Sequence, residues 1–255
     1  MINKYFTVEK LLTIAASKQH AGAFTSGFVM VDWTAIQVPK GASKLVNATV
    51  LIRAKGDATP TANPFGLDLI FAKTNTVSLG TVGALCDHRP NNDILGIIEI
   101  DANNFGTGHL QSTAVATVGG DNNNACPPLV LQGDPLTGDN VGFDTIYVGV
   151  ISKSNDNTFE SINAIAEAGT AGAASTQVIT MDGTSMDVRE HFAAGDIVHI
   201  GTSVGTPAAD SLIGTIQSAD SATQLTLTST SATDLVDGDI LYNINPIKIV
   251  LGFEK

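Results

Sequence analysis

The sequence predicts an all-β protein: a sandwich that carries a small β-barrel inserted ahead of its last strand. Three observations predict it. Apolar and polar residues alternate with a period of two along most of the 255 residues, the pattern of a strand with one buried face. Charged residues make up only 15% and aromatic residues 5%, too few charges for helices held by ion pairs one turn apart. Turn-forming clusters of Gly, Pro, Asn and Asp punctuate the alternating runs at short spacing.

Taken in order, the opening Met1 to His20 reads as an arm that reaches a neighbour, with Tyr5, Phe6, Leu11, Leu12 and Ile14 as its apolar residues. Its charges at Glu9, Lys10 and Lys18 interrupt the apolar stretch that an export signal requires. From Leu45 to Lys55, Val46, Ala48, Val50, Ile52 and Ala54 fall on one face, and Asn47, Thr49, Arg53 and Lys55 fall mostly on the other. Gly66 to Lys73 sets Leu67, Leu69 and Phe71 against Asp68, and Thr145 to Ile151 aligns Ile146, Val148 and Val150. Pro39-Lys40-Gly41, Gly56-Asp57 and Asn91-Asn92-Asp93 supply turns between such runs.

The texture changes at Ala164 to Ser175, where nearly every residue is small and little surface can be buried, as in a connector. Beyond it the sequence predicts strands over Thr176–Met181, Ile197–Ile200, Leu212–Gln217, Gln224–Thr228 and Asp239–Asn243. A helical turn is expected near Val188 to Phe192, and a turn at Ser218-Ala219-Asp220-Ser221. Five strands in so short a span suit a small barrel. The closing segment alternates again, with Ile247, Ile249, Leu251 and Phe253 on one face, after that module is complete. It needs another sheet, and the partner expected is the strand that ends at Ile151. The first domain is therefore expected to be discontinuous: residues 1–163 plus 246–255 form the sandwich, and residues 164–245 form the inserted module.

Bulk properties narrow the function. A net charge of -12 and a pI near 4.6 repel phosphate backbones, which argues against nucleic-acid binding. No apolar run is long enough to span a bilayer as a helix, so no membrane partner is expected. Cys86 and Cys126 are expected to remain thiols, since nothing in their spacing demands a bridge.

The order of elements resembles a group of tailed-phage virion proteins of the marine phage type. The phrases that carry the resemblance are GAFTSGFVMVDWTAIQVPKGASKLVNATVLIRA (Gly22 to Ala54), GLDLIFAKTNTVSLGT (Gly66 to Thr81), ILGIIEIDANNFGTG (Ile94 to Gly108), TIYVGVISKS (Thr145 to Ser154) and IKIVLGF (Ile247 to Phe253). AAGDIVHIG, LIGTIQSADSATQLTLTS and DGDILYN, between Thr176 and Asn243, are similar to small β-modules of phage head and tail proteins. The resemblance implies a jelly-roll or related β-sandwich and a structural role in place of chemistry, while the strand count of the inserted module suits a barrel of the SH3-like or OB-like kind.

Motifs that could carry chemistry each meet a structural alternative. Gly201-Thr202-Ser203-Val204-Gly205 matches a nucleophile elbow, but only a short segment separates it from the next strand, leaving no room for the required helix. Cys86, Asp87, His88 and Asp93, with His109, gather potential metal ligands without the paired short spacings of a zinc site, so a polar turn is the reading. Asp101-Ala102-Asn103-Asn104, Asp121-Asn122-Asn123-Asn124 and Asp237-Gly238-Asp239 offer oxygens to calcium. None has the EF-hand spacing, and turn formation explains them. His20, His191 and His199 are dispersed, with His199 on the outward polar face of its strand. Trp33, Tyr5, Tyr147 and Tyr242 could stack on sugars but are read as core or rim residues. Acidic residues are plentiful, and nothing in the sequence singles out a catalytic pair.

The expectation is thus a non-enzymatic protein without catalytic, cofactor-binding or metal-binding residues: a homo-oligomer, trimer favoured, on the capsid surface of the virion, contacting the major capsid protein or neighbouring virion subunits. A tail or fibre subunit that binds a host glycan is the alternative, and a particle-borne hydrolase acting through Ser203 or a carboxylate pair is a further rival.

Overall fold

The computed structural model describes residues 4–19, 22–54, 62–87, 92–106, 113–119, 129–135, 142–155, 159, 177–181, 187–201, 211–236 and 239–255. Among them the protein is nearly all β, in three antiparallel sheets of five strands each. The first sheet follows the order β1 (Tyr5–Leu12), β15 (Ile247–Glu254), β3 (Ser43–Ile52), β6 (Ala114–Val118), with β7 (Leu129–Leu131) also on β3. The second follows β2 (Val29–Pro39), β9 (Phe143–Ser152), β4 (Leu67–Ala72), β5 (Ile94–Ile100), with β8 (Asp134–Pro135) on β9. These two sheets form a sandwich. Its pairs are nested in sequence: β1 with β15, β2 with β9, β3 with β6, β4 with β5.

The period-two alternation places one side chain in two at the centre. Ile247, Ile249, Leu251 and Phe253 of β15, Ala48, Val50 and Ile52 of β3, Leu67, Leu69 and Phe71 of β4, and Ile146, Val148 and Val150 of β9 are all buried in one core. Phe253 stacks on Phe6 at 5.0 Å between ring centres. Pro39-Lys40-Gly41 turns β2 into β3, with Gly41 at φ 94°, a conformation that costs a residue without a Cβ little. Gly56-Asp57 and Asn91 lie outside the described residues, as does the small-residue segment 164–175.

Four sequence expectations need correction. The segment Tyr5–Leu12 is not an arm to a neighbour: it is an edge strand of its own sheet, and Leu12 and Ile14 are buried in its own core. The last strand does enter the sandwich, but beside β1 and β3, not beside the strand that ends near Ile151, which lies in the opposite sheet. Val46 is half-buried and Leu45 takes the core position instead. A register shift opposite Gly252 and Phe253 switches the parity of β3 there, which strict alternation cannot foresee. Ser218 to Ser221 are strand, not turn.

That last point shapes the third sheet, whose order is β10 (Val178–Thr180), β13 (Gln224–Leu227), β12 (Ser211–Ser221), β11 (Ile197–Gly201), β14 (Ile240–Asn243). The first half of β12 pairs with β11 and the second half with β13, so one strand serves both parts of the sheet. Irregularities at Ile216/Ser218 and Ala219/Ser221 absorb the bend, and the turn follows at Ala222-Thr223. Among the described residues no pairing joins β10 to β14. The sheet has its own core, including Ile179, Phe192, Val198, Ile213, Leu225, Leu227 and Leu241, with the short helix α1 (Val188–His191) contributing Val188.

Only Ile244, Asn245 and Pro246 separate β14 from β15, so the module joins the sandwich directly. Ile14 N donates to Ile244 O at 2.8 Å, and Arg53 N to Pro246 O at 2.9 Å. Gln19 Nε2 donates to Ile14 O and Asn243 O at 2.9 and 2.8 Å, and Phe159 N donates to Gln19 O at 3.2 Å. One buried glutamine thus holds the chain both where it leaves the sandwich and where it returns.

Candidate functional site

Two places gather polar side chains from distant parts of the chain. At the junction of module and sandwich, Asp196 is almost wholly buried. Its Oδ2 accepts from Arg53 Nη2 at 3.2 Å, Asn243 Nδ2 at 2.8 Å and Ala193 N at 2.8 Å. Burial pushes its carboxyl above the ordinary value, and Arg53 together with the donated hydrogen bonds opposes that shift. His191 lies beside this network, with its carbonyl accepting from Asn243 Nδ2 at 2.7 Å. Tyr242 packs with Ala16 and Ile240 in a small cluster across the same joint. The arrangement is a lock: Arg53 reaches from the sandwich to Asp196, and the donors of Asn243 and Ala193 fix that carboxylate within the module.

The second place is a cleft of about 500 Å³ on the outer face of the sheet that contains β4, β5 and β9. The same alternation that buries Leu67, Leu69 and Phe71 turns Asp68 and Ile70 outward. Register sets Ile97 opposite Ile70 and Glu99 opposite Asp68. Part of this outer face is covered by the loop that follows β4. Trp33 Nε1 donates to Val77 O at 2.8 Å, Leu79 N to Asp32 Oδ1 at 2.9 Å and Asp87 N to Leu79 O at 2.8 Å. Val29, Ile70, Leu79 and Ile151 form the cluster beneath, with Trp33, Val82 and Cys86 packed on it. Leu85, which is 67% exposed, stands at the rim of the cleft, and Ile70, Ile97 and Ile151 line it as an apolar floor.

Charge lies along one side of that floor. Lys153 Nζ is 2.8 Å from Asp101, 3.0 Å from Glu99 and 4.0 Å from Asp68 Oδ1. Burial, with Glu99 and Asp101 adding to it and Lys153 opposing it, pushes the Asp68 carboxyl up to about 6. Its Oδ1 has no hydrogen-bond partner among the described residues. The hydrogen bond to Asp101 holds the Lys153 ammonium firmly protonated.

The residues singled out by sequence are scattered. Cys86 lies in the wall of the cleft, where burial pushes its thiol up, with Asp87 and Asp32 adding to the effect. Asp87 is exposed and Asp93 sits at φ 47° in the turn before β5. His88 and His109 lie outside the described residues, and those described contain no group of three metal-ligating side chains. Gly201 ends β11, while residues 202–205 of the elbow-like motif lie outside the described residues, as do Asp121 to Asn124, Asp237 and Gly238, His20 and Cys126. Asp239 Oδ2 accepts from Val236 N at 2.7 Å, a turn bond. His199 is half-buried between Val198 and Ile200. Tyr242 and the loop-bonded Trp33 are structural, Tyr147 is half-buried, and Tyr5 is exposed with its hydroxyl on Glu254 Oε1 at 3.2 Å.

Sequence reasoning missed the grouping of Asp68, Glu99, Asp101 and Lys153, because it is assembled from three strands and their ends. The available signal was Asp68 itself, the only polar residue in the run Leu67–Ala72. No family model matches this chain, and no curated protein matches it.

Proposed function

We propose that the chain is a non-enzymatic structural protein of a tailed-phage particle, most specifically a decoration protein that cements the capsid surface as a homo-oligomer, with a trimer favoured. The observation that carries the reading is the nested strand order. Two four-stranded runs, β1-β15-β3-β6 and β2-β9-β4-β5, follow the order of a jelly roll, an architecture that recurs in viral shells.

The remainder of the molecule suits that role. The outward face of the first sheet carries charge pairs, Lys248 with Glu9 at 2.5 Å and Lys44 with Glu254 at 3.4 Å, and a Thr49–Thr117 hydroxyl pair at 2.9 Å. The inserted module is bonded to the sandwich at its root, so a load applied to one part is passed to the other. In this reading the sandwich docks on the major capsid protein or neighbouring subunits and adds buried area across their boundaries, which stabilises the filled shell. The module projects outward, and the net charge of -12 keeps particles dispersed.

A density map of intact particles tests this directly. The expected result is oligomers of the sandwich, three copies together, at repeated sites on the head lattice, and particles lacking the protein that release their genome at lower temperature. Density on the tail or fibres, or none on the particle, overturns the proposal.

A further inference from the structure

We propose that the cleft over β4, β5 and β9 is a docking site for an extended segment of a partner protein that presents on one face a lysine or arginine with aliphatic residues two positions to either side of it. The aliphatic parts lie on Ile70, Ile97 and Ile151, and the cation meets Asp68 and Glu99. The proposal rests on the virion reading only for the identity of the partner, a neighbouring subunit of the particle.

Three features specify this occupant. Charge is the first: among the described residues three carboxylates surround a single ammonium, and Lys153 sits close to Glu99 and Asp101 but 4.0 Å from Asp68. The Asp68 side chain is 27% exposed, so a second cation can reach it and supply the charge that Lys153 spends elsewhere. Shape is the second. Leu85 and Ile97 are 67% and 48% exposed on either side of a floor formed by buried Ile70 and Ile151, a surface suited to the stem of a long side chain. The third is the edge. β5 ends its sheet, and among the described residues no strand pairs with its outer side, so a segment lying on the outer face of β9, β4 and β5 can run on past that edge. Acidic or uncharged segments lack the first feature, and a compact cation such as a metal ion lacks the second.

The full chain, methyl-labelled, is titrated with the acetylated and amidated pentapeptide Ile-Thr-Lys-Thr-Ile, whose isoleucines share the face of the lysine when extended, and with its counterpart carrying glutamate at the centre. Among the described residues the titratable groups around Asp68 are Lys153, Glu99, Asp101 and the Cys86 thiol, so binding is followed across pH. Resonances of Leu85, Ile97 and Ile151 are expected to move with the lysine peptide, which binds at least about tenfold more tightly than the glutamate one. Its affinity falls about tenfold from pH 7.5 to pH 5 as Asp68 takes up a proton. Asp68→Asn, which keeps the side-chain shape, lowers the preference and removes the pH dependence.

Equal binding of the two peptides, no movement at these residues, or movement with protein concentration alone, which would mean that a second copy fills the cleft, overturns the proposal. Loss of peptide binding with the chain still seen on the capsid sinks only this site. Binding with the chain absent from particles sinks only the virion reading.

Discussion

Asp68 shows how one side chain can be costly to the fold that holds it. Its neighbours along β4 are all apolar, and burial outweighs the attraction of Lys153, so its folded carboxyl titrates near 6 against an ordinary 3.8. A carboxyl raised on folding binds its proton more tightly in the native state. Stability therefore falls as pH climbs from about 4 to about 6, and the full penalty is present above that. Asp68→Asn is expected to stabilise the protein by roughly 1 kcal/mol at pH 7.5, a figure discounted for the partial exposure of the group, with the gain vanishing toward pH 4. Urea denaturation at both pH values measures it. A loss of stability at pH 7.5 would mean that Lys153 and its partners outweigh desolvation.

At the scale of the element, β15 is held by both of its neighbours and buries one face completely. Ile249→Ala is expected to cost about 3 kcal/mol, because the core on both sheets closes around that position, whereas Val250→Ala on the half-buried outer face costs less than about 1 kcal/mol. Equal costs by chemical denaturation would refute this assignment of faces. The alternation of Ile247, Ile249, Leu251 and Phe253 made that face legible from sequence. The same rule failed at Val46 and at Ser218 to Ser221, where register shifts change parity or carry a strand through a bend that reads as a turn.

Across the whole molecule, sandwich and module meet through polar groups, above all Asp196, Arg53, Asn243 and Gln19. Gln19 bonds both Phe159 and Asn243, so the ends of the insertion lie close together. Replacing residues 160–243 with a short glycine-serine linker is therefore expected to leave a folded sandwich with a cooperative transition, because the two cores are separate. Calorimetry and near-ultraviolet dichroism check it, and a collapsed or molten product would show that the sandwich depends on the module. The cleft over β4 belongs to this scale too. Asp68 stood out in its own strand, but Glu99, Asp101 and Lys153 meet it only because β5, β4 and β9 are adjacent in one sheet.

By itself the sequence determined the β class, the inward faces of β4, β9 and β15, and the need of the last strand for a sheet outside the small module. These follow from a local rule, since successive side chains on a strand point to opposite sides. Only the tertiary structure decided which strands are neighbours, where bulges shift the register, and which charges converge on the cleft. Strand pairing is a contact between residues far apart in the chain, and the alternation within one strand says which way it faces without saying what lies beside it.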